Sequence, residues 1–412
     1  MGCSFLVDRL KVITNNEQQV ASYHRIPSMN RMIFTVISIL APCVLLVFNS
    51  GGEGNEGKRN KRPIYIAIVV PLSGPLAEFG QSMMRGGIMR ADEDVNQSRV
   101  HGSPVKLLTL DDRGEATDAV RLAENIKDHP SIVAVIGHLT TGCTLSTIPV
   151  YSAAGLPLIS PVATGGDLDA AKSPYVFRTI LSETQQVISL ARYIYKTMGR
   201  ITVALIYEDS SLGNQLKKSF LLKSKEIGLS VKPIVVESNP FPNINEAIHE
   251  IAMLKAGAIF SASGPQLTSL VVRKWPEKID KPVIFGTYRL VSEEFMQLAG
   301  NRSKGVMAVH PCIWDSSFHK GRGIRDRYEK KWKYNMDWIA GQTYDAVDLV
   351  LWAIHKSGSE PDSVRGALKS LNAIHRSLPG LAGPIYFNRN GSLAREVTVA
   401  VYTGREWKLK KN

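Results

Sequence analysis

From Ile64 onward, short apolar runs alternate with longer stretches in which apolar residues recur every three or four positions. Ile64-Tyr-Ile-Ala-Ile-Val-Val70 is a continuous apolar run ended by Pro71, the pattern of a strand buried on both faces. A helix is predicted from about Glu78 to Asn96, then a strand over Val105–Leu110. After Asp111-Asp112 a helix follows with Ala116, Ala119, Val120, Ala123 and Ile126 at helical spacing. Ile132–Ile136 reads as the next strand. It leads through Gly137-His-Leu-Thr140-Thr141-Gly to a helix beginning near Thr144, and then to a strand at Leu156–Ile159. Repeated strand-then-helix is the signature of a parallel, doubly wound sheet.

The pattern restarts near Phe177–Ser182. A helix carrying Val187, Leu190, Ala191 and Ile194 precedes a strand at Ile201–Tyr207, and four more strand-like runs follow at Val231–Val236, Ala258–Ser261, Val283–Gly286 and Val306–Val309. Two arrays predict two α/β lobes. Later come a helix from about Gly341 to Lys356, another near Asp362–Leu371, and strands at Leu381–Phe387 and Val397–Tyr402. Lacking an array of their own, these are expected to complete the two existing sheets. The division is residues 1–62 as tail, targeting segment and linker, 63–181 with about 311–387 as lobe one, and 182–310 with about 388–405 as lobe two.

A length of 412 residues at 44% hydrophobic composition suits two cores. The net charge of +13 is spread along the chain instead of forming a basic stripe, which argues against nucleic acid. Residues 319–334 do mix basic and aromatic side chains, but a helix with Tyr328 and Trp332 inward and snorkelling lysines outward explains them. Residues 32–48 (MIFTVISILAPCVLLVF) are free of charge and follow Arg31, so they form a targeting segment, either a cleaved signal or a retained anchor in contact with the membrane. Beyond them only Cys143 and Cys312 remain, with no zinc spacing.

The junction after the third strand carries the clearest chemistry. The first amides of a helix lack intrahelical partners, and with the hydroxyls of Thr140 and Thr141 they make a receptor for a carboxylate; simple capping by either threonine is the plainer alternative. Hydrolase, zincin, P-loop and dinucleotide motifs are not found, so the expectation is a non-enzyme without cofactor or metal. Arg85-Gly86-Gly87 is read as close helix packing.

Several landmarks, in order, carry a resemblance over residues 63–405: Pro71-Leu-Ser-Gly-Pro-Leu-Ala-Glu-Phe-Gly80, Leu110-Asp-Asp112, Ile136-Gly-His-Leu139, Ile159-Ser-Pro-Val-Ala-Thr164, Phe177-Arg-Thr179, Thr343-Tyr-Asp-Ala346 and Gly383-Pro-Ile-Tyr-Phe387 with Asn390-Gly391. Together they resemble the type I periplasmic solute-binding proteins, in the leucine/isoleucine/valine branch serving ATP-driven importers. The resemblance implies two Rossmann-like lobes, three crossings, hinge closure on a small-molecule solute and the permease subunits of an ABC transporter as partners. A membrane-tethered sensor of the same fold is the alternative, favoured if residues 32–48 are retained.

Matched motif by motif, the resemblance implies an aromatic wall at Phe79, a carboxylate-binding hydroxyl at Thr141, and further lobe-one contacts from Val162, Ala163 and Thr164. Lobe two is expected to answer from Leu212, Ser263 and Tyr288, with Trp314 as a second apolar wall. Two positions depart from the amino-acid binders, which usually place tyrosine at Leu212 and an acid at Tyr288. A buried ammonium without a counter-charge costs several kcal/mol, so the solute is expected to be carboxylate-bearing or neutral, unless Glu208, Asp209 or Asp345 reaches in.

Overall fold

The computed structural model describes residues 62–93, 99–100, 103–169, 171–312 and 323–410; the targeting segment 32–48 and Trp314 lie outside the described residues. Lobe one begins with β1 (Ile64–Val70), α1 (Ala77–Glu93), β2 (Arg99–Val100), β3 (Ser103–Asp111), α2 (Ala116–Ile126), β4 (Ile132–Gly137), α3 (Thr141–Ala153), β5 (Leu158–Ser160) and β6 (Val176–Arg178). Its sheet runs β2-β3-β1-β4-β5-β6, parallel throughout except at β2.

Lobe two opens with α4 (Glu183–Met198), β7 (Thr202–Glu208), α5 (Ser211–Ile227), β8 (Ser230–Val236), α6 (Ile244–Met253), β9 (Ala258–Ala262), α7 (Pro265–Lys274), β10 (Val283–Gly286), α8 (Glu293–Ala299) and β11 (Met307–Val309). The chain then forms α9 (Ile324–Trp332), α10 (Trp338–Ser357), α11 (Pro361–Ser370), β12 (Leu378–Gly380), β13 (Gly383–Ile385), β14 (Val399–Tyr402) and β15 (Trp407–Leu409). The second sheet runs β15-β14-β11-β10-β9-β7-β8, with the two late strands antiparallel.

Each central strand is apolar on both sides because each sheet is covered on both sides. Ile64, Ile66, Ile68 and Val70 pack with Met83 of α1 and the apolar residues of α10 and α11, whereas Ala67 and Val69 pack with α2 and α3. In lobe two, Ala204 and Ile206 face α6, α7 and α8, and Val203 and Leu205 face α4 and α5. The Arg85-Gly-Gly87 reading is resolved in atomic terms: a Cβ at Gly86 would stand 2.1 Å from the Ala340 carbonyl oxygen, so α1 and α10 cross backbone to backbone.

Three sequence readings are corrected. The predicted strand at Leu381–Phe387 is instead a separate hairpin, β12–β13, with Pro379 opposite Pro384, and it joins neither large sheet. Proline lacks the N–H that a sheet interior needs. The third crossing lies later than residue 388, because Ser392 bridges Arg178 and Leu393 is buried in the lobe-one core. Finally, lobe two continues past residue 405 into β15.

Candidate functional site

The site is built on strand ends. β4 stops at Gly137, and the turn that follows delivers Thr140 and Thr141 to the start of α3, three residues earlier than the sequence pattern indicated. Thr140 is the N-cap: its hydroxyl accepts the Cys143 amide at 3.1 Å, which answers one of the unpaired donors of the first turn. Thr141 faces a different neighbour, and its Oγ1 accepts the Gly165 amide at 3.1 Å. That leaves the Thr141 O–H proton available as a donor. Beyond β5, Val162 and Ala163 are buried in the two cores on opposite sheet faces, so only their backbone can serve a ligand. Thr164 is also buried, and its carbonyl accepts the Glu183 amide at 2.9 Å.

Lobe two answers through the short 3-10 turn Tyr288–Leu290 that follows β10. The Tyr288 hydroxyl lies 3.0 Å from Thr164 Oγ1, across the interlobe boundary, and its ring meets Trp338 of α10 edge-on with centroids 5.5 Å apart. The Tyr288 amide donates to Gln186 at 3.0 Å, and Arg289 pairs with the buried Glu183 at 2.5 Å. Burial, with a contribution from Glu183, pushes the Tyr288 phenol above its ordinary pKa, so it remains a neutral donor. Burial works against the Arg289 charge, but Glu183, Tyr288 and Glu208 together hold its pKa above the usual value.

The structure therefore brings Thr141, Thr164 and Tyr288 to one boundary, with the Gly165 amide linking the first two positions. The remaining sequence candidates differ in their surroundings. Ser263 is buried, with its hydroxyl against Ser261 at 3.2 Å and the Gly264 carbonyl at 3.3 Å, while Leu212 packs on the lobe-two core. Phe79, in the first turn of α1, is 46% exposed. The aromatic contact to Tyr288 comes from Trp338, which the sequence reading left outside a helix that it began at Gly341. The signal was Asp337, whose carboxylate accepts the Ala340 amide at 2.8 Å and starts α10 early.

Of the three acids considered as ammonium partners, Asp345 is buried and takes the Leu381 amide on both oxygens, at 3.0 and 2.8 Å. It therefore holds the β12–β13 hairpin. Asp209 is exposed and accepts from Asn214 at 3.1 Å. Glu208, at the end of β7, is half-buried; burial raises its pKa and Arg289 partly offsets that. His138 is buried against Asp112, with Nδ1 2.6 Å from the carboxylate, and stacks on Tyr151, so it packs inside lobe one. Three of the four basic residues of α9 are held in ion pairs, Arg327 with Glu93, Lys331 with Asp92 and Arg325 with Glu329. Among the described residues, no helix is long and apolar enough to cross a membrane, and no group of His, Cys, Asp or Glu is arranged to hold a metal ion.

Known proteins share this fold. Residues 63–406 match the family model described as periplasmic binding protein. The Leu/Ile/Val-binding protein homolog 3 of Brucella melitensis is 24% identical over 335 residues, covering 80% of this chain and 89% of that protein. A crystal structure of a leucine binding protein from Thermotoga maritima has a TM-score of 0.66 at 20% identity, covering 84% of this chain and 98% of that one. A solute binding protein of an R. palustris ABC transporter, solved in complex with benzoate, has a TM-score of 0.65 at 18% identity and covers 84% of this chain and 95% of its own. With two doubly wound lobes and a match spanning both, the chain belongs to the periplasmic binding protein family.

Proposed function

We propose that this chain is the extracytoplasmic solute-binding component of an ABC importer, and that it captures a small amphipathic carboxylate without an amino group between its lobes. The observation that carries the reading is Tyr288, a neutral phenol bonded to Thr164 at the position where an ammonium would need an acid. Its neighbouring carboxylate, Glu183, is already neutralised by Arg289. The Thr141 hydroxyl and the free amides at the start of α3 receive the solute's carboxylate, and Tyr288 and Trp338 line its apolar body. Among relatives of this fold, the benzoate complex supplies a precedent for such a ligand. The charge-free segment 32–48 supports export, with the permease subunits as the partner that receives the solute.

Leucine and 4-methylpentanoate, which is leucine without its amino group, separate the alternatives. Calorimetric titration is expected to show 4-methylpentanoate binding at least about tenfold tighter, a difference of about 1.4 kcal/mol. Tight leucine binding that survives Tyr288→Ala would sink the proposal.

A further inference from the structure

Lobe two has a second concavity, away from the lobe boundary. Its seven strands at a spacing of about 4.8 Å span about 29 Å, whereas two adjacent helices of about 10 Å diameter cover about 20 Å. On the face packed by α4 and α5, Phe285, Val309 and Val399 of the flank formed by β10, β11 and β14 are buried, and only Val283 and Met307 beside them are left partly open. Two contiguous cavities of about 490 and 550 Å³ occupy that flank and share Tyr193, Lys196, Thr197 and Lys410. Each falls within the size range of small-molecule sites.

The lining is divided. One end holds Arg192, Lys196 and Lys410 against a single acid, Glu396, and none of these cations forms an ion pair with a described residue. The other end is apolar, with Val283, Phe285, Met307 and Met198, and Tyr193 stands between the two ends with its ring 6.2 Å from that of Phe285. Glu226 offsets part of the Arg192 charge, so among the described residues three cations meet two acids at the polar end of an apolar trough, and positive charge is left over. Charge complementarity and the trough together select a ligand with one anionic head and a short apolar tail.

We propose that this groove is a second ligand site, which takes an amphipathic monoanion of the size of a medium-chain carboxylate. The head lies among Arg192, Lys196 and Lys410, and the tail runs over Tyr193 toward Phe285 and Met307. The site is independent of the interlobe cleft, because every residue that forms it belongs to lobe two or to the crossing that enters β14.

The test is photolabelling of the full-length chain with a diazirine-bearing octanoate, followed by mass mapping of the labelled peptides. Label is expected on the segments 189–199 and 397–410, competed by octanoate at a concentration at least tenfold below that required of 1-octanol. Arg192→Glu with Lys196→Glu is expected to reduce labelling at least tenfold. Thr197→Trp, which fills the groove without changing charge, is expected to do the same, and circular dichroism checks that each variant is folded. Label confined to the interlobe residues, equal competition by octanol, or full labelling of the folded charge-reversed variant overturns the proposal.

Discussion

Asp345 illustrates how one side chain can be read two ways. In the sequence it lies within Thr343-Tyr-Asp-Ala346 and was a candidate partner for a ligand ammonium. In the structure it is 2% exposed and both oxygens take the Leu381 amide. The charge of Asp345 also supports the half-buried Arg395, whose pKa desolvation pushes down. Removing one member of such a buried charge arrangement leaves the other uncompensated and costs about 3–5 kcal/mol, whereas losing one hydrogen bond while keeping an acceptor costs about 1 kcal/mol. Asp345→Asn, which keeps an acceptor but not the charge, is therefore expected to lower the urea unfolding midpoint nearly as far as Asp345→Ala, with the slope unchanged. A much smaller loss in Asp345→Asn than in Asp345→Ala would show that the Arg395 charge does not depend on Asp345. Position in the sequence could not reveal this role, because the Leu381 amide lies 36 residues away.

At the level of elements, Gly86 governs how lobe one is assembled. The chain between α1 and α10 is long, yet a Cβ on Gly86 would meet the Ala340 carbonyl at 2.1 Å, which is backbone and cannot swing aside. Gly86→Ala improves helix propensity by about 1 kcal/mol but forces α1 and α10 apart, with overpacking costs of about 1–3 kcal/mol or more at a contact this close. The net expectation is destabilisation, read as a lower thermal midpoint; a midpoint unchanged or raised would mean that the helices can separate freely. A milder change is expected at α4, where Ser182 and Gln185 form a reciprocal capping box with bonds of 3.1 and 2.9 Å. Ser182→Ala is expected to cost about 1 kcal/mol. Such features also mark how much of the fold was legible. The strand–helix alternation and the residues that start and stop elements are local signals, so both arrays were readable from periodicity. The β12–β13 hairpin and the true position of the third crossing depend on Pro379 meeting Pro384, Asp345 reaching Leu381 and Ser392 bridging Arg178, contacts that no local period encodes. Of the site, Thr141, Thr164 and Tyr288 were expected from the resemblance, at positions that follow strand ends; Trp338 was not, because it meets Tyr288 only where the lobes meet, nor were Gln186 and the Glu183–Arg289 pair, which form when α4 packs beside the turn after β10.

Across the whole molecule, the lobes are linked where the crossings run side by side. His310, immediately after β11, donates its backbone amide to the Thr398 carbonyl at 2.9 Å, which ties the second crossing to the third. Its Nδ1 accepts the Cys312 amide at 3.2 Å, and its ring sits 6.3 Å from Trp407. Burial lowers the His310 pKa from 6.5 to about 4. The unfolded chain therefore binds a proton between those two values that the folded chain refuses. Stability is complete above pH 6.5 and falls as the pH drops toward 4, by about 1.4 kcal/mol per pH unit. Carboxylates titrate over the lower part of the same range, so the histidine is isolated by comparison with His310→Asn, which keeps a polar side chain but cannot be protonated there. Between pH 7 and pH 4.5 the native sequence is expected to lose about 2 kcal/mol more unfolding free energy than the variant, measured by urea denaturation at both pH values. Parallel losses in the two proteins would place the acid sensitivity of the hinge region elsewhere. Because the affected contact joins two of the strands that carry one lobe into the other, the same acidification is also expected to loosen the registration of the lobes before either core unfolds, seen as a rise in the radius of gyration by small-angle scattering while the far-ultraviolet circular dichroism remains unchanged.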